Sequence, residues 1–143
     1  MTNRLRSRTN DEAGFTLVEL LVVMLILGLL ASIAIPAFFN QRTKAQDAEA
    51  KSTVKTAQTA LETYATDNNG SYAGADEADL RNIEPTLNDD PADSLDVVSD
   101  ATSYTVAVDG TGGRTYEISR ASNGSVTREC SPSGGGGCSS GSW

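Results

Sequence analysis

The sequence predicts an α+β chain: one long N-terminal helix, apolar in its first half and amphipathic in its second, packed on a small antiparallel sheet of three to four strands. Three observations predict it. Residues 20–39 (LLVVMLILGLLASIAIPAFF) run without a charge; Ala50, Val54, Ala57, Leu61 and Tyr64 then recur at spacings of four, three, four and three; and beyond Tyr104 the apolar period becomes two.

The apolar segment, taken as 15–39, rises about 37 Å as a helix against a hydrocarbon core of about 30 Å, so it can span a bilayer. Arg4, Arg6 and Arg8 precede it, which keeps the N-terminus cytoplasmic and sends the remainder across. Gly28 and Pro36 interrupt the run. Pro36 cannot donate to the carbonyl of Ser32 and its ring crowds that turn, which predicts a kink or a loosened helix there. Glu19 stands at the head of the run, just inside Phe15-Thr16-Leu17-Val18, although an acid at bilayer depth costs roughly 2.5–3.5 kcal/mol on insertion scales. An acid placed so needs a purpose.

Past Phe39 the helix continues with one narrow apolar face, Ala50 to Tyr64. Arg42, Lys44, Asp47, Glu49, Lys51, Lys55 and Glu62 fall largely off that stripe. Asn69-Gly70 supplies the left-handed conformation that ends a helix, so the helix is placed from about Phe15 to about Asp67. Residues 68–103 read as a connecting loop with a short helix at Asp76–Ile83. Tyr104, Val106 and Val108 alternate with polar neighbours, as do Tyr116 and Ile118, and Val126 begins a third run. Gly110–Gly113 and Ser122-Asn123-Gly124 are the hairpin turns between them. The sheet is placed at 104–130, with its apolar face toward the Val54–Tyr64 stripe. Cys130 and Cys138 enclose SPSGGGG, a stretch with little packing capacity; in an exported chain they read as a disulfide stapling the tail 130–143.

Composition excludes several functions. A chain of 143 residues has room for one small domain beyond its apolar segment, and it contains no histidine and only two cysteines. The commonest general base and a four-thiolate zinc site are therefore absent, so no enzyme, cofactor or metal site is predicted. The formal net charge is −8. Residues 67–103 carry Asp67, Asp76, Glu77, Asp79, Glu84, Asp89, Asp90, Asp93, Asp96 and Asp100 against a single base, Arg81, a segment that repels nucleic acid and keeps an exported protein soluble. Asn69-Gly70-Ser71 and Asn123-Gly124-Ser125 fit the N-glycosylation pattern, but turn chemistry requires Asn-Gly at both places in any case.

Two processing routes fit the N-terminus. A secretory signal would use 20–30 as its apolar core and be cut after Ser32-Ile33-Ala34, which explains neither Glu19 nor a helix that continues past Phe39. A cut after Gly14 retains both. Here the chain resembles the type IV prepilins and their relatives, the type II secretion and competence pseudopilins. The resemblance rests on a short basic leader ending in Gly14, on Phe15-Thr16-Leu17-Val18-Glu19-Leu20-Leu21-Val22-Val23, and on Pro36 near the end of the apolar run. Glu62-Thr63-Tyr64-Ala65-Thr66-Asp67-Asn68-Asn69-Gly70-Ser71-Tyr72 is also similar to the end of the family's long helix. The specific part covers about the first 40 residues of the chain, and the remainder matches only in plan.

The resemblance implies a pilin-like fold with a leader at 1–14, a membrane and filament-core helix at 15–39 and an exported globular domain at 40–143. It implies that a membrane prepilin peptidase cleaves the Gly14–Phe15 bond and N-methylates Phe15. Subunits would then pass from membrane lipid into a filament of many copies, driven by an assembly ATPase and an inner-membrane platform protein, with the helix between Gly28 and Pro36 loosening on assembly. Cleavage makes Phe15 a protonated amine, and Glu19, four residues on, can neutralise it within a subunit or in a neighbour, fixing register. Three functions compete: a pilus subunit for adhesion, motility or DNA uptake; a pseudopilin; and a membrane-anchored binding module that never polymerises. Major type II secretion pseudopilins usually carry a calcium loop near the C-terminus, whereas this tail, CSPSGGGGCSSGSW, has a cysteine pair and no acid after Glu129, which favours a pilin.

Overall fold

The computed structural model describes residues 14–89 and 94–143; residues 1–13 of the expected leader, with Arg4, Arg6 and Arg8, and the acids Asp90 and Asp93 lie outside them. Helix α1 (Leu17–Asp67) is followed by α2 (Glu77–Ile83), a 3-10 turn at Pro85–Asp89, and strands β1 (Asp96–Ser99), β2 (Tyr104–Asp109), β3 (Thr115–Arg120) and β4 (Val126–Ser131). The strands form one antiparallel sheet in the order β1-β2-β3-β4, with register pairs Val97–Val106, Val106–Ile118 and Ile118–Arg128. By its contacts the chain divides within α1, between Phe38 and Phe39.

In the first unit the helix is unbroken through Gly28 and Pro36, and its large side chains from Phe15 to Phe38 are exposed. By length and composition α1 is long and apolar enough to cross a membrane.

The second unit holds the core. Ala50, Val54, Ala57 and Leu61 of α1 are buried together with Tyr104, Val106 and Val108 of β2 and Tyr116 and Ile118 of β3, as the two periods predict. The alanines let the helix approach the sheet closely, and each large apolar side chain buried contributes about 1.5–3 kcal/mol. Asn69 (φ 56°) and Gly70 (φ 84°) turn the chain out of α1, and the Gly70 amide donates to the carbonyl of Ala65 at 2.7 Å. Asp76 caps α2 reciprocally with Asp79.

Three details differ from the sequence reading. The sheet begins at Asp96, inside the segment read as the loop 68–103, and runs to Ser131. Val97-Val98 is a pair too short to show a period, and it becomes an edge strand by pairing with β2. Asp47, read as off the buried stripe, is completely buried: it continues the stripe one step below Ala50, where a carboxylate is tolerated because the fold supplies its partners. Tyr64 is only partly buried, and Ala65 takes the covered position at the end of the stripe.

Candidate functional site

At the helix start, Thr16-Leu17-Val18-Glu19 forms a reciprocal cap. Glu19 Oε2 accepts from the Thr16 amide at 3.1 Å and from Thr16 Oγ1 at 2.9 Å, while the Glu19 amide donates to Thr16 Oγ1 at 3.2 Å. The Leu20 amide then makes the first helical bond, to the Thr16 carbonyl at 3.3 Å. Ser or Thr followed three residues later by Glu is a capping box, and it satisfies amides that a helix otherwise leaves open. This cap involves nothing before Thr16, so a cut between Gly14 and Phe15 would leave it whole. Glu19 Oε1 has no hydrogen-bond partner among the described residues and remains open to a donor from elsewhere. The sequence reading missed Thr16, although Thr-x-x-Glu was there to be read.

Two polar knots tie the globular unit together, and neither was predicted. In the first, Asp47 Oδ1 accepts from the Thr111 amide at 3.0 Å and Oδ2 from the Gly137 amide at 2.9 Å. Arg114 Nη1 lies 3.5 Å from Oδ2 and donates to the Thr111 carbonyl at 3.1 Å, and Lys51 Nζ donates to the Gly137 carbonyl at 2.6 Å. One carboxylate on α1 thereby holds both the β2–β3 hairpin and the disulfide loop. Burial alone would push the Asp47 carboxyl up, but the Gly137 and Thr111 amides and the Arg114 guanidinium outweigh it and hold it below the ordinary aspartate value. Neighbouring Tyr116 is pushed up to about 12, by burial first and by the Asp47 charge second.

The glycines of SPSGGGG therefore have work to do. A Cβ on Gly136 would run into Asp47 Oδ2 and stand 2.9 Å from Arg114 Nη1, and one on Gly137 would stand 3.0 Å from both Lys51 Nζ and the Tyr116 hydroxyl. Close approach, not slack, selects glycine there. Cys130 and Cys138 are bonded as predicted, with Cα atoms 5.8 Å apart. Trp143 lies edge-on to Tyr116 at 6.0 Å, beneath the ammonium groups of Lys51 and Lys55 at 5.7 and 5.4 Å, and its Nε1 donates to the Glu129 carbonyl at 2.8 Å.

In the second knot Glu62 accepts from the hydroxyls of Tyr72 at 2.7 Å and Tyr104 at 2.9 Å. The run from Glu62 to Tyr72 is thus a closed hairpin around the Asn69-Gly70 turn. Burial first, and for Tyr72 the bond to Glu62 next, raises both tyrosines above their ordinary value.

Comparison with known proteins bears on the N-terminal part. A family profile described as a prokaryotic N-terminal methylation motif matches residues 9–35, which include Gly14, Phe15, Glu19 and Gly28 and stop one residue before Pro36. The type II secretion system core protein G of Aeromonas hydrophila is 41% identical over 58 residues, 41% of this chain and 41% of that protein. The type IV major pilin protein PilA of Myxococcus xanthus is 42% identical over 59 residues, 41% of this chain and 27% of its own length. In its N-terminal two fifths the chain is similar to type IV pilins and type II secretion pseudopilins. The core protein G of Escherichia coli K12, 38% identical over 60 residues, agrees in extent, so the matches span about two fifths or less of the relatives' length. No solved structure matches the chain significantly. The profile match contains the capping box, whereas both polar knots lie beyond it.

Proposed function

We propose that the chain is a structural subunit of a type IV pilus, cleaved between Gly14 and Phe15 and N-methylated on Phe15 by a prepilin peptidase, then polymerised through residues 15–39. The observation that carries this is an apolar helix whose large side chains are all exposed, beginning at a capped carboxylate inside a methylation motif. Bilayer lipid covers such a helix before assembly, and other copies cover it afterwards. Glu19 Oε1 then receives the Phe15 amine of a neighbour while Oε2 keeps the cap, and Gly28 and Pro36 are the places where the helix yields as subunits pack. An assembly ATPase and a platform protein in the membrane supply the drive.

A pilus is preferred because the tail is closed by Cys130–Cys138 and by Asp47, a finish suited to an exposed surface fibre. A pseudopilin role is the second reading, favoured by the resemblance to core protein G from several bacteria. Electron microscopy of sheared surface material, with intact mass of its main band, tests the proposal. Filaments of a chain beginning at methylated Phe15 support it; a chain beginning at Ile35 overturns it. Loss of secreted enzymes on deletion of the gene, from cells whose wild type bears no surface filaments of this chain, would favour the second reading.

A further inference from the structure

The outer face of the sheet carries a row of acids that no ion pair among the described residues neutralises. The register places Asp96 beside Ala107, Ala107 beside Glu117 and Glu117 beside Glu129, so one row crosses all four strands on the face opposite buried Val106, Val108, Tyr116 and Ile118. Glu117 and Glu129 stand directly across from each other, a like-charge pairing that is destabilising in an antiparallel sheet. Glu117 accepts only from its own strand's Ser119, at 2.6 Å, and no ion pair among the described residues engages Asp96, Glu117 or Glu129.

The same chain carries a basic segment with the opposite deficit. Arg42 and Lys44 are exposed on α1 just past the apolar run, and no described carboxylate engages them. In the proposed topology they sit on the exported side of the span, against the bias that keeps Lys and Arg cytoplasmic. The acidic row keeps a like-charge pairing that is unfavourable in a lone subunit, and the basic segment is its complement in charge.

We infer that the acidic sheet row of one subunit docks on the Arg42–Lys44 segment of a second copy. The contact joins two different surfaces, and in the filament reading it is heterologous and repeats from copy to copy along an open polymer. It rests on the filament reading and adds a contact outside the apolar helix that sets the stagger between copies. Being largely exposed, it is also sensitive to salt.

Charge reversal in the full-length chain, expressed with its assembly machinery, tests this. Glu117→Lys with Glu129→Lys, and separately Arg42→Glu with Lys44→Glu, should each lower sheared filament yield about tenfold or more, because like charges then face each other at every subunit. Processing at Gly14, the Cys130–Cys138 bond and protease resistance should be retained. The fourfold variant should recover most of the wild-type yield, and carbodiimide should cross-link Lys44 to Glu117 or Glu129 between copies in wild-type filaments. Normal filaments from the Glu117→Lys/Glu129→Lys chain would overturn the contact alone. If the Arg42→Glu/Lys44→Glu chain fails and the fourfold variant is no better, the basic segment serves lipid headgroups and the contact is overturned. Wild-type subunits that stay in the membrane after shearing would overturn the filament reading and this contact with it.

Discussion

The two halves of α1 obey opposite rules. From Phe15 to Phe38 the large apolar side chains are exposed, whereas from Asp47 to Ala65 even alanines are buried and the buried acid Asp47 is fully partnered. The second half is finished as a monomer; the first becomes satisfied only when something outside the chain covers it. A single helix thus joins a self-sufficient domain to a surface that requires company, which is the division expected of a chain that waits in lipid and then polymerises.

The largest effect follows from separating the halves. A chain of residues 40–143 should be soluble, folded and monomeric, losing membrane partition entirely; firm oligomerisation by sedimentation would break the comparison. Next comes Asp47→Ala, which leaves Arg114 facing a buried void and removes the acceptor for both the Thr111 and Gly137 amides. It should cost about 3–5 kcal/mol in denaturant unfolding. Replacing Cys130 and Cys138 by serine should cost less, about 2–3 kcal/mol at most for so short a loop, and should loosen the tail around Trp143 more than the sheet. Hydrogen exchange resolved by segment separates the two.

Acid should act on the same latch. Because the folded carboxyl of Asp47 lies below its ordinary value, its contribution is complete above the unfolded value near pH 4 and is lost as pH falls below it. Trp143 fluorescence should therefore change in acid before the sheet unfolds, and Asp47→Asn should remove that early step. The smallest effect is at the helix start: Thr16→Ala should cost about 1 kcal/mol of local helix stability, read as faster exchange at Glu19, with no change in the globular unit.

Much of this was legible in the sequence because periods survive in any context. Ala50, Val54, Ala57 and Leu61 read as one face, and Tyr104, Val106 and Val108 as another, and those are the faces that meet. The misses share a cause: a tertiary partner overrode the local reading. Asp47 lies at the right spacing to extend the stripe, but charge makes a residue look solvated until Thr111, Arg114 and Gly137, all far away in sequence, are known to surround it. Val97 and Val98 sit among acids and become a strand only because β2 lies beside them. The glycine run looked like slack because close packing leaves no mark on a residue without a side chain. The Thr16–Glu19 cap is different: its pattern was complete in four residues, and the cost of an acid in lipid drew attention from the simpler local bond.

The central claim is that the exposed first half of α1 is completed by other copies of the chain, with Glu19 as the counter-charge for the incoming Phe15 amine. Its most direct measurement is sheared filament yield from Glu19→Val, with intact mass of the membrane-held subunit measured in parallel. The substitution keeps the segment apolar and lies downstream of the Gly14–Phe15 bond, so insertion and cleavage should persist. Assembly should fail or fall sharply, because a buried amine without its partner costs about 3–5 kcal/mol at every subunit. Processed Glu19→Val chains accumulating in the membrane with few filaments is the predicted result; wild-type filament yield from processed, methylated Glu19→Val chains would contradict it.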